Sequence, residues 1–190
     1  MALEQALLQG ARRPVTILRP CAIHGPGSRH PREWFFVKRI LDGRRAVPLA
    51  WDGESGFHTT ATANIAELVA VVLSQPATQV LNVGDPDPPT VRRIGEIIGR
   101  LHGHDWRLAG FPGAPRGGVG AHPWALPHPF VVDMTRAGAL GYRPVATYEQ
   151  AVAGACRSAV AAAKAGVAFP AYIEAMFDYA AEDAFLAGSA

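Results

Sequence analysis

The chain has 190 residues, 49% of them apolar, which is enough for a packed core in one ordinary domain or two small ones and excludes wholesale disorder. The net charge of +2 is too near zero to imply nucleic-acid binding on its own. The two cysteines have no CxxC spacing, which excludes a disulfide scaffold or a cysteine–zinc cluster. No apolar run is long enough to cross a membrane. The N-terminal residues show no secretory signal, so we expect a cytoplasmic protein, with no nucleic acid and no membrane as partner.

The first third of the chain alternates between helix and strand signals. Residues 2–9 predict the end of a helix, and the short apolar run at 15–18 predicts a strand buried on both faces of a parallel sheet. A helix is predicted over 32–41, where a proline precedes the apolar residues and Asp-Gly follows them. Two short strands are predicted next, at 46–50 and 57–60.

The middle of the chain contains two well-marked helices. Asn64 and Glu67 have the spacing of a capping box, which predicts that a helix begins there. Its predicted buried face consists of Ile65, Leu68, Val69 and Val72. A strand at 79–83 is followed by a second helix that starts at Thr90. The predicted buried face of this second helix consists of Val91, Ile94, Ile97, Ile98 and Leu101.

The last part of the chain begins with a long loop at 110–129, which is rich in glycine, proline and histidine. A short strand is predicted at 130–132. Thr147 and Gln150 form a second capping-box spacing, which opens an alanine-rich helix that runs to about residue 165. A final helix is predicted over 171–187. The alternation of strands and helices predicts an α/β protein.

The charges are spread unevenly along the sequence. Residues 1–45 contain nine arginines or lysines and three acids, a net of +6, so residues 46–190 carry a net of −4. A basic first quarter favours an anionic ligand such as a phosphate. The alternative is that these arginines are ordinary solvated charges on helix faces and ends.

A set of ordered segments carries a resemblance to one protein family. The segments are 14–20 (PVTILRP), 23–27 (IHGPG), 64–66 (NIA), 81–84 (LNVG), 90–94 (TVRRI), and Asp133 with 139–144 (ALGYRP). Together they resemble the extended short-chain dehydrogenase/reductases, also called NAD-dependent epimerase/dehydratases. The resemblance covers roughly residues 1–165.

The resemblance implies the architecture and the cofactor class. The fold would be the C-terminal part of a Rossmann-type parallel sheet plus a small α/β substrate-binding region. Residues 1–30 would be the remnant of the Rossmann-type domain. Residues 31–190 would be the substrate-binding region, with helices that return to the Rossmann-type part. NAD or NADP would be the cofactor, and the partner would be a small-molecule substrate.

Two hallmarks of that family are not found in these 190 residues. No tyrosine is followed by a lysine four positions later, and the glycine-rich run at 117–120 lies in a proline-rich loop rather than between a strand and a helix. The resemblance places the start of this sequence just after the family's catalytic lysine. We therefore expect no catalytic residue and no oxidoreductase activity from this chain alone, and its binding of NAD or NADP by itself is in doubt.

The loop after the first strand holds the main site candidates. The resemblance implies that Pro20, Cys21 and Ile23 face the cofactor, largely through their backbone. His24 stands where the family often has a tyrosine, so it is a candidate for substrate contact. The alternative for His24 is an ordinary turn residue.

Three further residues are candidates for substrate binding: Arg29, Phe35 and His58. For an aromatic residue on the helix at 32–41, the alternative is packing in the core. Phe57 lies near the position where nucleotide-sugar enzymes of the family usually have an arginine that grips the diphosphate. Phenylalanine cannot do this, which disfavours a UDP- or dTDP-sugar and favours a less charged substrate.

Two functions from different classes stay open. One is the C-terminal portion of an NAD(P)-dependent epimerase, dehydratase or reductase. The other is a non-catalytic module that binds a small ligand or complements an N-terminal half encoded separately. No metal site is expected, because His102 and His104 come with no third ligand. Since the strand at 15–18 would lack sheet neighbours, we also expect self-association or a partner that supplies them.

Overall fold

Short parallel strands and helices alternate along the computed structural model, which describes residues 2–188. The elements are α1 (Ala2–Gly10), β1 (Thr16–Pro20), β2 (Ala22–His24), α2 (Trp34–Leu41), β3 (Ala46–Leu49), a 3₁₀ turn (Trp51–Gly53), β4 (Thr59–Ala61), α3 (Thr62–Ser74), β5 (Gln79–Val83), α4 (Val91–Leu101), β6 (Arg107–Gly110), α5 (Thr135–Ala139), α6 (Tyr148–Lys164), α7 (Ala171–Glu174) and α8 (Tyr179–Ala187). The predicted α/β class is therefore confirmed. None of the described helices is long and apolar enough to cross a membrane.

The described strands form three parallel pairs, β1 with β5, β2 with β4, and β3 with β6. Each pair is joined by a crossover that contains at least one helix, as parallel pairing requires. In the first pair the register runs from Thr16 opposite Gln79 to Pro20 opposite Val83. The carboxyl ends of β1 and β5 therefore lie side by side, and β2 follows β1 after a single residue, Cys21.

The strand predicted at 15–18 is confirmed as β1, but its side chains are only half buried. Thr16, Ile17 and Leu18 all keep some exposed surface. Among residues 2–188, β1 has one strand neighbour, β5, so one edge of the strand is open. Helix α1 adds little cover, because it has no buried residue of its own.

The largest core lies where α2, α4 and α6 meet around β3. Fully buried side chains from each of these elements pack together there: Phe35, Phe36, Val47, Leu49, Ile94, Ile98, Tyr148 and Val152. A second core joins α3, β5 and α5 through Leu68, Leu81 and Ala137. Two predicted core residues are instead at the surface, because Val69 is 38% exposed and Leu101 is 45% exposed.

The two helix starts that were predicted at a threonine are confirmed. The Thr90 hydroxyl accepts a hydrogen bond from the backbone N–H of Arg93 at the start of α4. At the start of α6, the side chains of Thr147 and Gln150 each accept from the other's backbone N–H. These signals are local in sequence and need no tertiary contact to form.

Several boundaries were predicted wrongly. Helix α3 starts at Thr62 rather than at Asn64, whose side chain is buried and makes long-range bonds instead of a cap. Strand β6 was missed, and Phe130 forms only an isolated bridge with Phe57 where a strand was expected at 130–132. The predicted helix 171–187 divides into α7 and α8, because the side chain of Asp178 caps a new helix start.

Candidate functional site

An open cavity of about 490 Å³ lies at the carboxyl ends of β1 and β5. Its wall consists of Arg19, Pro20, Cys21, Ala22, Arg32, Phe57, Asn82, Phe130 and Val132. We call it the strand-end cavity. Ligands of parallel α/β sheets bind at this end of the strands. Two of the predicted cofactor-facing residues, Pro20 and Cys21, belong to this wall.

A second cavity of about 380 Å³, the loop cavity, adjoins the first. It is lined by Cys21, Ile23, Gly25, Pro26, Gly27, Ser28, Arg29, His30, Arg32 and Thr62. Cys21 and Arg32 are common to both walls. The third predicted cofactor residue, Ile23, is 39% exposed, and the predicted substrate residue Arg29 is exposed too. The structure thus brings four predicted site residues to two adjoining cavities.

The two walls contain three arginines and no carboxylate. Arg19 forms an exposed ion pair with Glu4, whose pKa is lowered by the hydrogen bond from that guanidinium. Within residues 2–188, the side chains of Arg29 and Arg32 make no hydrogen bond and no salt bridge. Arg32 is half buried, whereas Arg29 lies in solvent. Arg32 is therefore a cation at the junction of the cavities that a ligand can reach.

Aromatic side chains form the apolar part of the strand-end cavity. The rings of Phe57 and Phe130 lie 5.1 Å apart at an interplanar angle of 38°. Backbone hydrogen bonds fix this pair, since Phe130 N–H donates to the Gly56 carbonyl and His58 N–H donates to the Phe130 carbonyl, each at 2.8 Å. Phe130 is 45% exposed, so part of its ring is open to a ligand.

A buried carboxylate forms hydrogen bonds with strands and a helix next to the cavity wall. Asp85, two residues beyond β5, accepts from His24 Nε2 at 2.8 Å and from the Thr59 hydroxyl at 2.6 Å through one oxygen. Its other oxygen accepts from Ala61 N–H at 2.7 Å and from the Asn64 amide at 2.8 Å. Burial raises the pKa of Asp85, but the hydrogen bond and charge of His24 and the other donors outweigh it, so the pKa lies below its ordinary value.

His58 belongs to the same interior layer. Its Nε2 lies 2.7 Å from the Asp85 carbonyl oxygen, and its Nδ1 accepts from Val132 N–H at 3.2 Å. Since a carbonyl can only accept, the proton of the neutral ring is assigned to Nε2. His58 thereby ties the end of β5 to the segment that follows Phe130.

Three predicted substrate residues have interior positions. The exposed fraction is 1% for His24, 0% for Phe35 and 1% for His58. His24 and His58 form hydrogen bonds with Asp85, and the ring of Phe35 packs in the core, 6.3 Å from His122 and 6.4 Å from Phe177. Contact with a substrate would require a rearrangement that exposes them, so they stay predictions and are left out of the site proposed below.

Sequence reasoning missed four residues of this region: Arg32, Asn82, Asp85 and Phe130. Asn82 and Asp85 lie at and just beyond the carboxyl end of β5, where polar residues of a parallel sheet collect. That position was a usable signal for both of them. No sequence signal pointed to Arg32 or Phe130, because only the tertiary fold brings these residues close to Cys21.

Comparisons with known proteins find structural relatives. No protein-family model and no curated protein sequence matches the chain. The solved UDP-glucose 4-epimerase from Thermotoga maritima matches 85% of this chain and 52% of its own length, with a TM-score of 0.65 and 21% identity. The dTDP-glucose 4,6-dehydratase from Streptomyces venezuelae, solved with NAD, matches 84% of this chain and 48% of its own, with a TM-score of 0.61 and 26% identity. A dTDP-glucose 4,6-dehydratase from Bacillus anthracis, also in complex with NAD, has a TM-score of 0.62 and 18% identity over 86% of this chain and 50% of its own.

The chain has part of the fold of the NAD-dependent epimerases and dehydratases. The resemblance seen in the sequence is thereby confirmed for the fold. The chain spans about half the length of the structures that it matches. The division at residue 30 into a Rossmann-type part and a substrate-binding part stays a prediction.

Proposed function

We propose that this chain supplies the wall of a cofactor and substrate site of an NAD(P)-dependent epimerase, dehydratase or reductase, and that it does not carry out the redox step alone. The observation that supports this most directly is the strand-end cavity. Parallel strands β1 and β5 end at it, and Pro20 and Cys21, which the family resemblance assigns to the cofactor, lie in its wall.

The residues present fit one end of a nicotinamide dinucleotide. Pro20, Cys21 and Ile23 are accessible at the strand ends and would contact the nicotinamide end. A bound dinucleotide would supply hydride transfer. The two walls contain no glycine-rich turn at a helix start of the kind that holds a pyrophosphate, so these residues hold only part of the cofactor.

The acid–base groups of the redox step are not among the wall residues of either cavity, which include no tyrosine and no lysine. Tyr142 is buried, which raises its pKa to about 12, and Tyr148 is buried beside Glu33. Lys38 pairs with Asp42 at 2.7 Å. Since proton transfer needs a group within hydrogen-bond reach of the substrate, this chain alone is expected to show no turnover.

Alkylation of Cys21 tests the proposal directly. Cys21 lines both cavities, whereas Cys156 is buried and serves as the internal reference. Burial and the charge of Asp85 raise the pKa of Cys21 to about 11, so the reaction with N-ethylmaleimide is run at alkaline pH. Millimolar NAD or NADP should slow alkylation of Cys21 and leave Cys156 unchanged. Equal rates with and without dinucleotide would contradict the proposal.

A second candidate function is a binding module that associates with another chain. The open edge of β1 favours it, together with the exposed apolar surface of α1, where Leu3 is 75% exposed and Leu7 is 48% exposed. The partner would be a second copy or a Rossmann-type half. Light scattering should show self-association at high concentration, and a monomer under all conditions would count against this candidate.

A further inference from the structure

The strand-end cavity has one available positive charge. Arg19 forms an ion pair with Glu4, in which Nε of Arg19 lies 3.0 Å from Oε1 of Glu4. Arg32 has no such partner within residues 2–188, and it lies in the first turn before α2, where its backbone N–H donates to the His30 carbonyl at 2.8 Å and its carbonyl accepts from Phe35 N–H at 3.0 Å. Its guanidinium is therefore carried by an anchored backbone. A single anchored cation suits one anionic group rather than a diphosphate.

The rest of the wall is apolar or neutral. The wall includes the apolar residues Phe57, Phe130, Val132 and Ala22, and the paired phenyl rings offer a surface for a further ring. No aspartate or glutamate lines the cavity, so no carboxylate lies directly against a bound anionic group. The volume of about 490 Å³ is within the range of small-molecule sites.

Asn82 supplies the remaining polar contact. Its amide nitrogen donates to the Asp133 carbonyl at 2.9 Å, which leaves the amide oxygen as an acceptor. A ligand hydroxyl can donate to that oxygen. The cavity therefore offers an arginine for an anion, an aromatic surface for a ring and an acceptor for a hydroxyl.

From this arrangement we infer that the strand-end cavity takes a ring-bearing monocarboxylate, with the carboxylate on Arg32 and the ring on Phe57 and Phe130. This inference names a substrate class for the site under Proposed function and rests on that proposal. It differs from the nucleotide sugars that appear with the structural relatives. A guanidinium binds a carboxylate through two parallel hydrogen bonds.

Three probes separate the contributions, namely cinnamate, its uncharged analogue cinnamyl alcohol, and UDP-glucose. Binding is measured by calorimetry and by protection of Cys21 from N-ethylmaleimide. Cinnamate should bind at least about tenfold more tightly than cinnamyl alcohol, since a hydrogen bond to a charged group contributes on that scale. UDP-glucose should bind more weakly than cinnamate.

Two variants and one control assign the contacts. Arg32→Gln should weaken cinnamate binding about 10- to 100-fold and leave cinnamyl alcohol unchanged, because only the charge contact is lost. Phe57→Leu should weaken both probes. Arg12→Gln removes the same charge from an exposed position outside both cavities and should change neither. Circular dichroism melting curves confirm that each variant is folded.

Three results would overturn the inference: cinnamate no tighter than its alcohol, UDP-glucose tighter than cinnamate, or Arg32→Gln without effect on folded protein. The dinucleotide experiment distinguishes this failure from failure of the proposed function. If NAD or NADP protects Cys21 while cinnamate does not, the ligand class is wrong and the cofactor wall stands. If neither protects Cys21, both proposals fail.

Discussion

Replacing Asp85 with alanine is expected to destabilise the fold by about 4 kcal/mol. Four donors point at this buried carboxylate, but two of them have alternatives. The Thr59 hydroxyl can rotate, and the Asn64 amide keeps its bond to the Ala146 carbonyl. His24 Nε2 and Ala61 N–H would be left buried without an acceptor, at about 1–3 kcal/mol each. That sum agrees with the loss of about 3–5 kcal/mol when a buried charge pair is broken.

Urea unfolding followed by circular dichroism measures this loss. With an m-value of about 2 kcal/mol/M, the midpoint of Asp85→Ala should fall by about 2 M. Asp85→Asn retains an acceptor for Ala61 N–H and should lose about half as much or less. Asp87→Ala removes an exposed carboxylate two residues away and should leave the midpoint unchanged. A midpoint for Asp85→Ala equal to that of Asp87→Ala would refute the account of the network.

Three further changes probe the rest of the structure. Burial and the nearby charge of Arg39 lower the pKa of His122 to about 4. The free energy of unfolding should therefore be at its full value above pH 6.5 and fall by about 3 kcal/mol as the pH drops to 4. His122→Leu should remove this decrease. Glu182→Ala leaves the buried guanidinium of Arg39 unpaired and should cost about 3–5 kcal/mol in urea unfolding. Gly84→Ala would place a Cβ 2.3 Å from Nε2 of the buried His58 and should cost about 1–3 kcal/mol in thermal unfolding.

Each of these changes has a matched comparison. For His122, the measurement is the difference in the free energy of unfolding between wild type and variant as a function of pH. If the two pH curves were parallel, they would contradict the burial argument. Asp183→Ala removes a 61% exposed carboxylate beside Arg44 and should leave the midpoint almost unchanged. Gly10→Ala adds a Cβ with no neighbour within 4 Å. If Gly84→Ala were as stable as Gly10→Ala, the close packing of His58 would be disproved.

The elements predicted best were those with local signals. The start of α6 follows from Thr147 and Gln150, whose reciprocal bonds lie within one helical turn. Asn64 and Glu67 have the same spacing as Thr147 and Gln150, yet the Asn64 amide donates to Asp85 and to the Ala146 carbonyl. The amide oxygen that would cap a helix instead accepts from the backbone N–H groups of Val145 and Ala146, and the amide nitrogen donates to Asp85. Spacing alone cannot distinguish the two cases.

Strand β6 was missed for a related reason. Its four residues include Arg107 and Gly110, and neither residue type favours a strand. Its pairing with β3 crosses about sixty residues, from Ala46 opposite Arg107 to Leu49 opposite Gly110. The strand exists because β3 offers a buried edge, a tertiary effect that overrides local propensity.

The strand-end and loop cavities lie at the loop to which the family resemblance pointed, whereas His24 lies in the interior, and the strand geometry explains this difference. Side chains of a strand alternate between its two faces. In β2, Ala22 and His24 are buried while Ile23 is exposed toward the loop cavity. If Ile23 faces the cofactor, His24 must point to the opposite side, where its Nε2 forms a hydrogen bond with Asp85. The family resemblance pointed to the loop, and alternation within three residues places the side chains of Ile23 and His24 on opposite faces of the strand.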